Sequence, residues 1–434
     1  MKMRRLAAIV KRAALVIWIE AGILLLLMVA CNAAAGLFLR LTHPPHPDGR
    51  VYADGYASAH WTGEYYRELD GVEVQWHPYL YWISKPYQSR FINIGEDGLR
   101  VTWRPSIPDR AAQNRPLRIF VFGGSTIWGE GQRDEYTIPS IIQRLLQSAP
   151  YPVEVTNFGQ PGYVTTQEVL LLQEQLRNGN IPDLAVFYDG HNDISSALTN
   201  HAAGVTYDED ARRREFNISN WHKLPDRRRI YWEFIRSLVF NSNLGQLAQQ
   251  TAEWLAPNQY HLIKGRLTRV IHKAVGERDI SGEGRLEDEV VCDYLYNKDV
   301  VERDSRRYGF RALFYWQPVI YTKPRLTAYE QRQADDPGLR GQKDFFLAIY
   351  RRIAEIREKE GIHDLSGVFG SSPQPCFLDD VHISEAANLI VAQAMLPGIK
   401  QVLDTMKPRS VASPGGAHCA SNWMSPSVNG GQQP

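Results

Sequence analysis

Leu117-Arg-Ile-Phe-Val-Phe-Gly-Gly-Ser-Thr126 is the stretch on which the fold of this 434-residue chain turns. A compact apolar run ends in two glycines, and residues 138–146 beyond it carry apolar side chains at helical spacing. That pattern predicts a buried strand, a sharp turn and a helix. Outward from it the unit repeats. Val153 to Thr156 reads as a second strand, leading into Asn157-Phe-Gly-Gln-Pro-Gly162 and a helix over 165–176. Leu184 to Tyr188 reads as a third strand, closed by Asp189-Gly-His-Asn-Asp193. Arg311 to Trp316 is a further strand, and residues 345–358 and 384–403 are helices. Alternating strands and helices predict an α/β fold with a mainly parallel sheet covered by helices. Ligands of such sheets bind beyond the carboxyl ends of the strands. Here those ends are the Gly-rich turns.

The composition, 44% hydrophobic and 22% charged, excludes a disordered, collagen-like or disulfide-dense chain. With 49 Lys+Arg against 48 Asp+Glu, charge gives no reason to expect a nucleic-acid partner. The four cysteines (Cys31, Cys292, Cys376, Cys419) form no Cys-x-x-Cys or Cys/His cluster, so no metal is expected. No phosphate-binding loop follows Gly123-Gly124, because no Gly-Lys-[Ser/Thr] is present there, and no cofactor is expected.

Both ends of the chain differ from its middle. Residues 13–39 are almost continuously apolar, long enough to cross a bilayer, and carry no polar face. Lys2, Arg4, Arg5, Lys11 and Arg12 precede this segment, while Arg40 and Arg50 are the first bases behind it. The positive-inside rule then puts the N-terminus in the cytoplasm and everything after Leu39 outside it, periplasmic or extracellular. A cleaved signal peptide is the rival, and Leu27-Met-Val-Ala-Cys31 loosely matches a lipoprotein cleavage box. The length of the apolar run favours an uncleaved anchor. Glu20 lies near its cytoplasmic end, where a carboxylate can snorkel or neutralise. Residues 40–112 read as a stem and N-terminal extension without assignable chemistry, and His43-Pro-Pro-His46 as a stiff juxtamembrane piece, not a metal site. Residues 405–434 read as a disordered tail.

The chemistry lies in the turns. Ser125, directly after Phe-Gly-Gly, sits where a hydroxyl is exposed near a helix N-terminus, as a nucleophile needs. A serine there serves equally as a helix N-cap. The Gly-x-Ser-x-Gly elbow is not matched, since Ile127 takes the place of its last glycine. Phe377-Leu-Asp-Asp-Val-His382 places Asp379 three residues before His382, so one loop can deliver a base and the carboxylate that fixes its tautomer. Asp380 is the alternative orienter. Gly162 offers an unshielded backbone N–H and Asn192 a side-chain amide, the donors an oxyanion hole requires, although Asn192 also suits an ordinary turn.

Taken together, Gly-Gly-Ser125-Thr, Asn-x-Gly-x-x-Gly162, Gly190-x-Asn192-Asp and Asp379-x-x-His382 resemble the SGNH/GDSL hydrolase superfamily, in a membrane-anchored, bacterial-type form. The resemblance covers about residues 117–197 and 309–404. It implies a three-layer α/β/α flavodoxin-like fold over residues 113–404. It also implies Ser125 as nucleophile, His382 as base, Asp379 as orienter, and Gly162, Asn192 and the Ser125 N–H as oxyanion donors. Gly124 stands where the family's name-giving block has Asp, and Ala386-Ala387 precede Asn388 where relatives often have Gly-Asn.

The larger departure is a largely helical insertion over about 198–308. Arg212–Arg214 and Arg227–Arg229, with Trp221, Tyr231, Trp232, Trp254 and Tyr260, offer a basic, aromatic-lined surface for an anionic glycan or lipid headgroup. The same residues also fit a solvated face and an ordinary core. Cys292 and Cys376 either pair, tying the insertion to the Asp379 loop, or remain free thiols. The expected activity is that of an extracytoplasmic serine esterase acting on acyl, foremost O-acetyl, esters of cell-envelope or exported polysaccharide. The alternatives are an O-acyltransferase using the same triad, and a catalytically silent glycan-binding or envelope-complex module.

Overall fold

The computed structural model describes residues 2–42, 48–104, 115–149, 152–219, 239, 242–255, 283–336, 339, 341–370 and 373–406. In chain order its elements begin with helix α1 (Lys2–Thr42), helix α2 (Thr62–Leu69) and the short strands β1 (Val74–His77), β2 (Tyr81–Ser84), β3 (Tyr87–Gln88) and β4 (Asn93–Ile94). Strand β5 (Leu117–Gly123), helices α3 (Ser125–Trp128) and α4 (Ile138–Leu145), β6 (Val153–Asn157), α5 (Thr165–Arg177), β7 (Leu184–Asp189) and α6 (His191–Asn200) follow. Then come α7 (Glu209–Ser219), α8 (Asn243–Leu255), α9 (Glu283–Tyr308), β8 (Arg311–Trp316), α10 (Ala328–Ala334), α11 (Gln342–Glu360), β9 (Ile362–Asp364) and α12 (Glu385–Asp404).

Strands β5 to β9 form one parallel sheet in the spatial order β6-β5-β7-β8-β9. This is the flavodoxin-like order, with the topological switch between β5 and β7. Alternate side chains of each strand feed opposite layers. Ile119, Val121, Val186 and Tyr188 pack in one core with Ile141 and Ile142 of α4 and Val391 and Met395 of α12. Phe120, Phe122 and Phe187 pack in the other with Leu172 of α5 and Val301 of α9. In that second layer Phe122, Phe187 and Phe314 stack in a row at 4.9 and 5.4 Å. Burial on both faces is why these strands read as continuous apolar runs and not as alternating ones.

The sequence does not announce β9, which has only three residues. Nor does it announce β1 to β4, because pieces of two to four residues are too short to show a period. They belong to the same compact unit as the sheet, which comprises residues 47–207 and 282–434. Arg100 pins them there: fully buried, it donates to the carbonyls of Phe91, Trp128, Gly129 and Gln132 and to Asp134 at 2.8 Å. Glu283–Tyr308, the last part of the segment expected to be an insertion, is a helix packed on α5 and β8. The structure leaves Cys292 and Cys376 unpaired: Cys376 is buried against the Gln374 carbonyl at 3.4 Å, and Cys292 is exposed on α9.

A second compact unit comprises residues 1–46 and 208–281. Within α1, Trp18–Leu39 is long and apolar enough to cross a membrane, and its large side chains are exposed. In this unit α8 meets α1 at Asn32, whose carbonyl accepts from Asn243 Nδ2 and whose Oδ1 accepts from Leu244 N–H, each at 3.2 Å. Arg212 and Arg213 lie on α7. The expected Arg227–Arg229, Trp221, Tyr231, Trp232 and Tyr260, the side chains of Arg214 and Trp254, and His43 and His46 lie outside the described residues.

Beneath the carboxyl end of β7, Glu168 and Asp189 are buried together, and burial pushes both carboxyls well above their ordinary range. Neither Asp189 oxygen has a donor among the described residues, so the pair keeps a proton between its two acceptors. A raised folded-state pKa contributes stability at acid pH that is lost as pH rises through it. Glu168→Gln supplies a permanent N–H, and we expect it to raise the melting temperature at pH 8. Relief of an unsatisfied buried group is worth ~1–3 kcal/mol. Below pH 4 thermal denaturation should show no gain.

Candidate active site

The end of β5 sets the first residue. Gly124 caps the one-turn helix α3, so Ser125 opens a helix and its N–H has no intrahelical acceptor. Glycine at 124 has a steric reason: a Cβ there would meet Asn192 Nδ2 at 2.1 Å. The side chain that the family's name-giving sequence carries at this place would displace the Asn192 amide. Gly162, at the end of the loop after β6, has φ +75°, which glycine alone adopts without strain. Neither the Ser125 nor the Gly162 N–H donates to another described residue. Asn192, in the first turn of α6, donates one Nδ2 hydrogen to the Tyr163 carbonyl at 2.7 Å and has no acceptor for the other among the described residues.

Before α12, residues 376–384 fold back on themselves. Leu378 N–H donates to the His382 carbonyl and Ser384 N–H to the Cys376 carbonyl, both at 2.7 Å. This closed loop presents Asp379 and His382 together. Asp379 Oδ1 accepts from the backbone N–H groups of His382 at 2.6 Å and Val381 at 3.0 Å, and its Oδ2 lies 2.7 Å from His382 Nδ1. His382 Nε2 is 2.8 Å from Ser125 Oγ. A carboxylate, an imidazole and a hydroxyl are thus joined in one chain of hydrogen bonds, and the Asn192 amide lies against Gly124, the residue before the hydroxyl's own. Asp380, the alternative orienter, does not reach this imidazole and instead contacts His191 at 2.9 Å.

Two residues missed by the sequence reading complete the charge around the imidazole. Glu130, just past α3, has Oε2 at 3.7 Å from His382 Nε2. Arg50 bonds Glu130 at 2.6 Å, Asp379 Oδ2 at 3.3 Å and Asp48 at 2.7 Å, and lies 5.0 Å from the centre of the Tyr66 ring. Burial works against charge on His382, yet Asp379 and Glu130 outweigh it and raise the imidazole from its ordinary 6.5 to about 9. Burial works against the Asp379 carboxylate too, but His382 and Arg50 hold it well below its ordinary value. Nothing in the sequence connects Arg50 with Asp379, which lies 329 positions away.

A third missed feature is aromatic. The β1–β2 hairpin docks on the Gly162 loop: Trp82 Nε1 donates to the Pro161 carbonyl at 2.9 Å, and Ser84 N–H and Oγ bond Gln160 Oε1. Trp82 and Tyr207 flank Gly162, about where its absent Cβ would touch them at 3.5 and 3.6 Å.

These charges fix a pH dependence. Below its pKa the imidazole is protonated and cannot accept a proton, so kcat/KM for an ester is expected to rise with pH through about 9. Glu130→Gln removes one of the two carboxylates that favour the charged ring. The midpoint of the rising limb should move toward neutrality, and a pH profile of kcat/KM checks it.

No family model matches the sequence, and no curated protein matches it. Among solved structures, an acetyl xylan esterase is similar at 12% identity and TM-score 0.34, over 65% of this chain and 100% of that one. A carbohydrate acetylesterase family member from Sinorhizobium meliloti is similar at 16% identity and TM-score 0.31, over 66% and 99%. A member of the lipolytic G-D-S-L family from Veillonella parvula is similar at 10% identity and TM-score 0.34, over 65% and 98%. Likeness at this level bears on neither substrate nor residue roles. With its five parallel strands in flavodoxin-like order and the Ser125, Gly162 and Asn192 turns following β5, β6 and β7, the chain has a flavodoxin-like α/β fold.

Proposed function

We propose that the protein is a serine esterase in which Ser125 attacks an acyl ester, His382 takes the hydroxyl proton, and Asp379 holds the imidazole in the required tautomer. The observation that carries this reading is the pair of contacts on one imidazole, 2.7 Å to Asp379 and 2.8 Å to Ser125. Attack forms a tetrahedral intermediate whose oxyanion is met by the N–H groups of Ser125 and Gly162 and the Asn192 amide. Its collapse expels the alcohol, protonated by His382, and leaves an acyl-Ser125 ester. Water, deprotonated by the same imidazole, then releases the acid and restores the hydroxyl. The acyl group we assign is small, foremost acetyl, and the alcohol a cell-envelope or exported polysaccharide. In this reading Trp18–Leu39 anchors the protein with its N-terminus in the cytoplasm and its catalytic domain outside, as the basic residues before the span indicate.

The test is covalent labelling of the full chain with a fluorophosphonate, followed by mapping of the adduct. Modification at Ser125 that is lost in Ser125→Ala and strongly slowed in His382→Ala supports the reading. A folded protein that is not modified, or is modified elsewhere, overturns it.

A further inference from the structure

A second acceptor stands beside the histidine nitrogen that serves Ser125. Glu130 Oε2 lies 3.7 Å from His382 Nε2, and among the described residues it accepts no hydrogen bond. Backbone and guanidinium together fix its place. Glu130 N–H donates to the Ser125 carbonyl at 3.0 Å, and Gly129 and Gly131 on either side take φ +98° and +88°. Gly131 N–H donates to Tyr65 Oη at 2.8 Å, and its carbonyl accepts from Tyr56 Oη at 2.6 Å. The other carboxylate oxygen, Oε1, accepts from Arg50 Nη1 at 2.6 Å, and Asp48 holds Arg50 in turn through Nε and Nη2. Against a protonated ring, Oε2 completes a charge pair. Against the neutral ring that catalysis requires, it is one acceptor beside another.

Two neighbouring acceptors call for a molecule with two hydrogens. Before acylation the neutral Nε2 accepts from Ser125 Oγ at 2.8 Å. In the acyl-enzyme Oγ is esterified and has no hydrogen to give, so Nε2 is open to whatever attacks next. Acceptors 3.7 Å apart lie within reach of one water oxygen about 2.8 Å from each. Water satisfies both and keeps its oxygen lone pairs for the acyl carbon. An alcohol brings one hydrogen, and once Nε2 has taken it Glu130 offers no added hold.

We propose that Glu130 is a catalytic residue of deacylation, holding the hydrolytic water between its Oε2 and His382 Nε2 and so favouring water over an alcohol as the acyl acceptor. The inference rests on the esterase reading above and deepens it. In this step the water oxygen bonds to the acyl carbon and one water proton passes to Nε2. The bond from that carbon to Oγ then breaks, and Nε2 returns the proton to Oγ. The second hydrogen, donated to Oε2 during the attack, leaves on the acid, and Glu130 neither gains nor loses a proton. Acylation has no such need, since Ser125 itself supplies the hydrogen to Nε2.

The two half-reactions are measured separately on the full chain in detergent, at the upper plateau of its pH profile where the imidazole is neutral. Acylation is read from the burst of p-nitrophenolate on mixing with p-nitrophenyl acetate. Deacylation is read from decay of the acetyl-Ser125 mass in acid-quenched samples of the intact protein, with thermal melting as the control for folding. Glu130→Ala removes the acceptor, and Glu130→Gln, keeping its oxygen on Arg50, turns an N–H toward Nε2 instead. Both variants are expected to deacylate about 10–100-fold more slowly, because misplacing a reacting group by ~1 Å can cost 10². Acylation should change far less, within about twofold in Glu130→Ala, so that kcat and KM fall together. With methanol added, the ratio of methyl acetate to acetate should rise in Glu130→Ala. Decay of acetyl-Ser125 at the wild-type rate in both variants, or acylation slowed as much as deacylation, overturns the inference and leaves the esterase reading standing. A wild type that neither turns over the ester nor is labelled at Ser125 by a fluorophosphonate overturns both.

Discussion

Ser125→Ala, His382→Ala and the double variant are expected to lose ester turnover equally. The hydroxyl without its base and the base without its hydroxyl each leave the same residual site, the free N–H groups of Ser125 and Gly162 and the Asn192 amide. In Ser–His machinery that acts as a unit, one deletion costs nearly as much as all, about 10⁶ in kcat. The contact of 2.8 Å between Nε2 and Oγ is the geometry from which such behaviour follows. Steady-state turnover of p-nitrophenyl acetate measures it. Additive losses, or a His382→Ala variant close to wild type, would mean that the imidazole does not take the Ser125 proton.

Asp379→Asn carries the second largest effect, and the structure says why an isostere fails here. Oδ1 is claimed by two backbone N–H groups, those of Val381 and His382, so an asparagine must keep its oxygen on that side. Its NH₂ then faces His382 Nδ1, where a carboxylate oxygen used to accept. Nδ1 becomes an acceptor, Nε2 keeps the hydrogen, and the ring meets Ser125 in the wrong tautomer. The same NH₂ stands opposite the Arg50 guanidinium, 3.3 Å from the oxygen it replaces. A fall in kcat of about 10⁴ is expected, the size seen when a triad carboxylate is amidated elsewhere. Asp380→Asn, one position on, has no such pair of N–H groups fixing it and should be mild. Comparison of the two neighbouring variants under one assay tests the assignment of roles.

Arg50 changes how the start of the chain is understood. The segment behind the apolar helix reads as a stem because nothing in it has a period, yet residue 50 bonds Glu130 and Asp379 beside the imidazole. Farther along the same segment, Trp82 stands against the Gly162 loop. The N-terminal extension is part of the wall of the site.

The legibility of the site followed its distance along the chain. Asp379 and His382 share one short loop, but Asp-x-x-His is common by itself, and only its combination with the other turns joined them to the site. Ser125 and Asn192 follow the apolar strands β5 and β7, Gly162 follows the short strand β6, and a parallel sheet brings the carboxyl ends of such strands to one edge. Local pattern placed the turns, because burial of β5, β7 and β8 on both faces leaves an unbroken apolar run that polar, Gly-rich turns interrupt, while each residue read singly fitted an N-cap or an ordinary turn equally well. The sequence by itself thus determined the α/β class and the strands that the Gly-rich turns follow. Only the tertiary structure decided which carboxylate holds which histidine, since Asp379 and Asp380 are chemically identical neighbours that the loop closure points apart. It alone supplied Arg50, Glu130, Trp82 and His191 as partners, because charge pairs and aromatic contacts between distant segments depend on three-dimensional proximity, and no local periodicity records it.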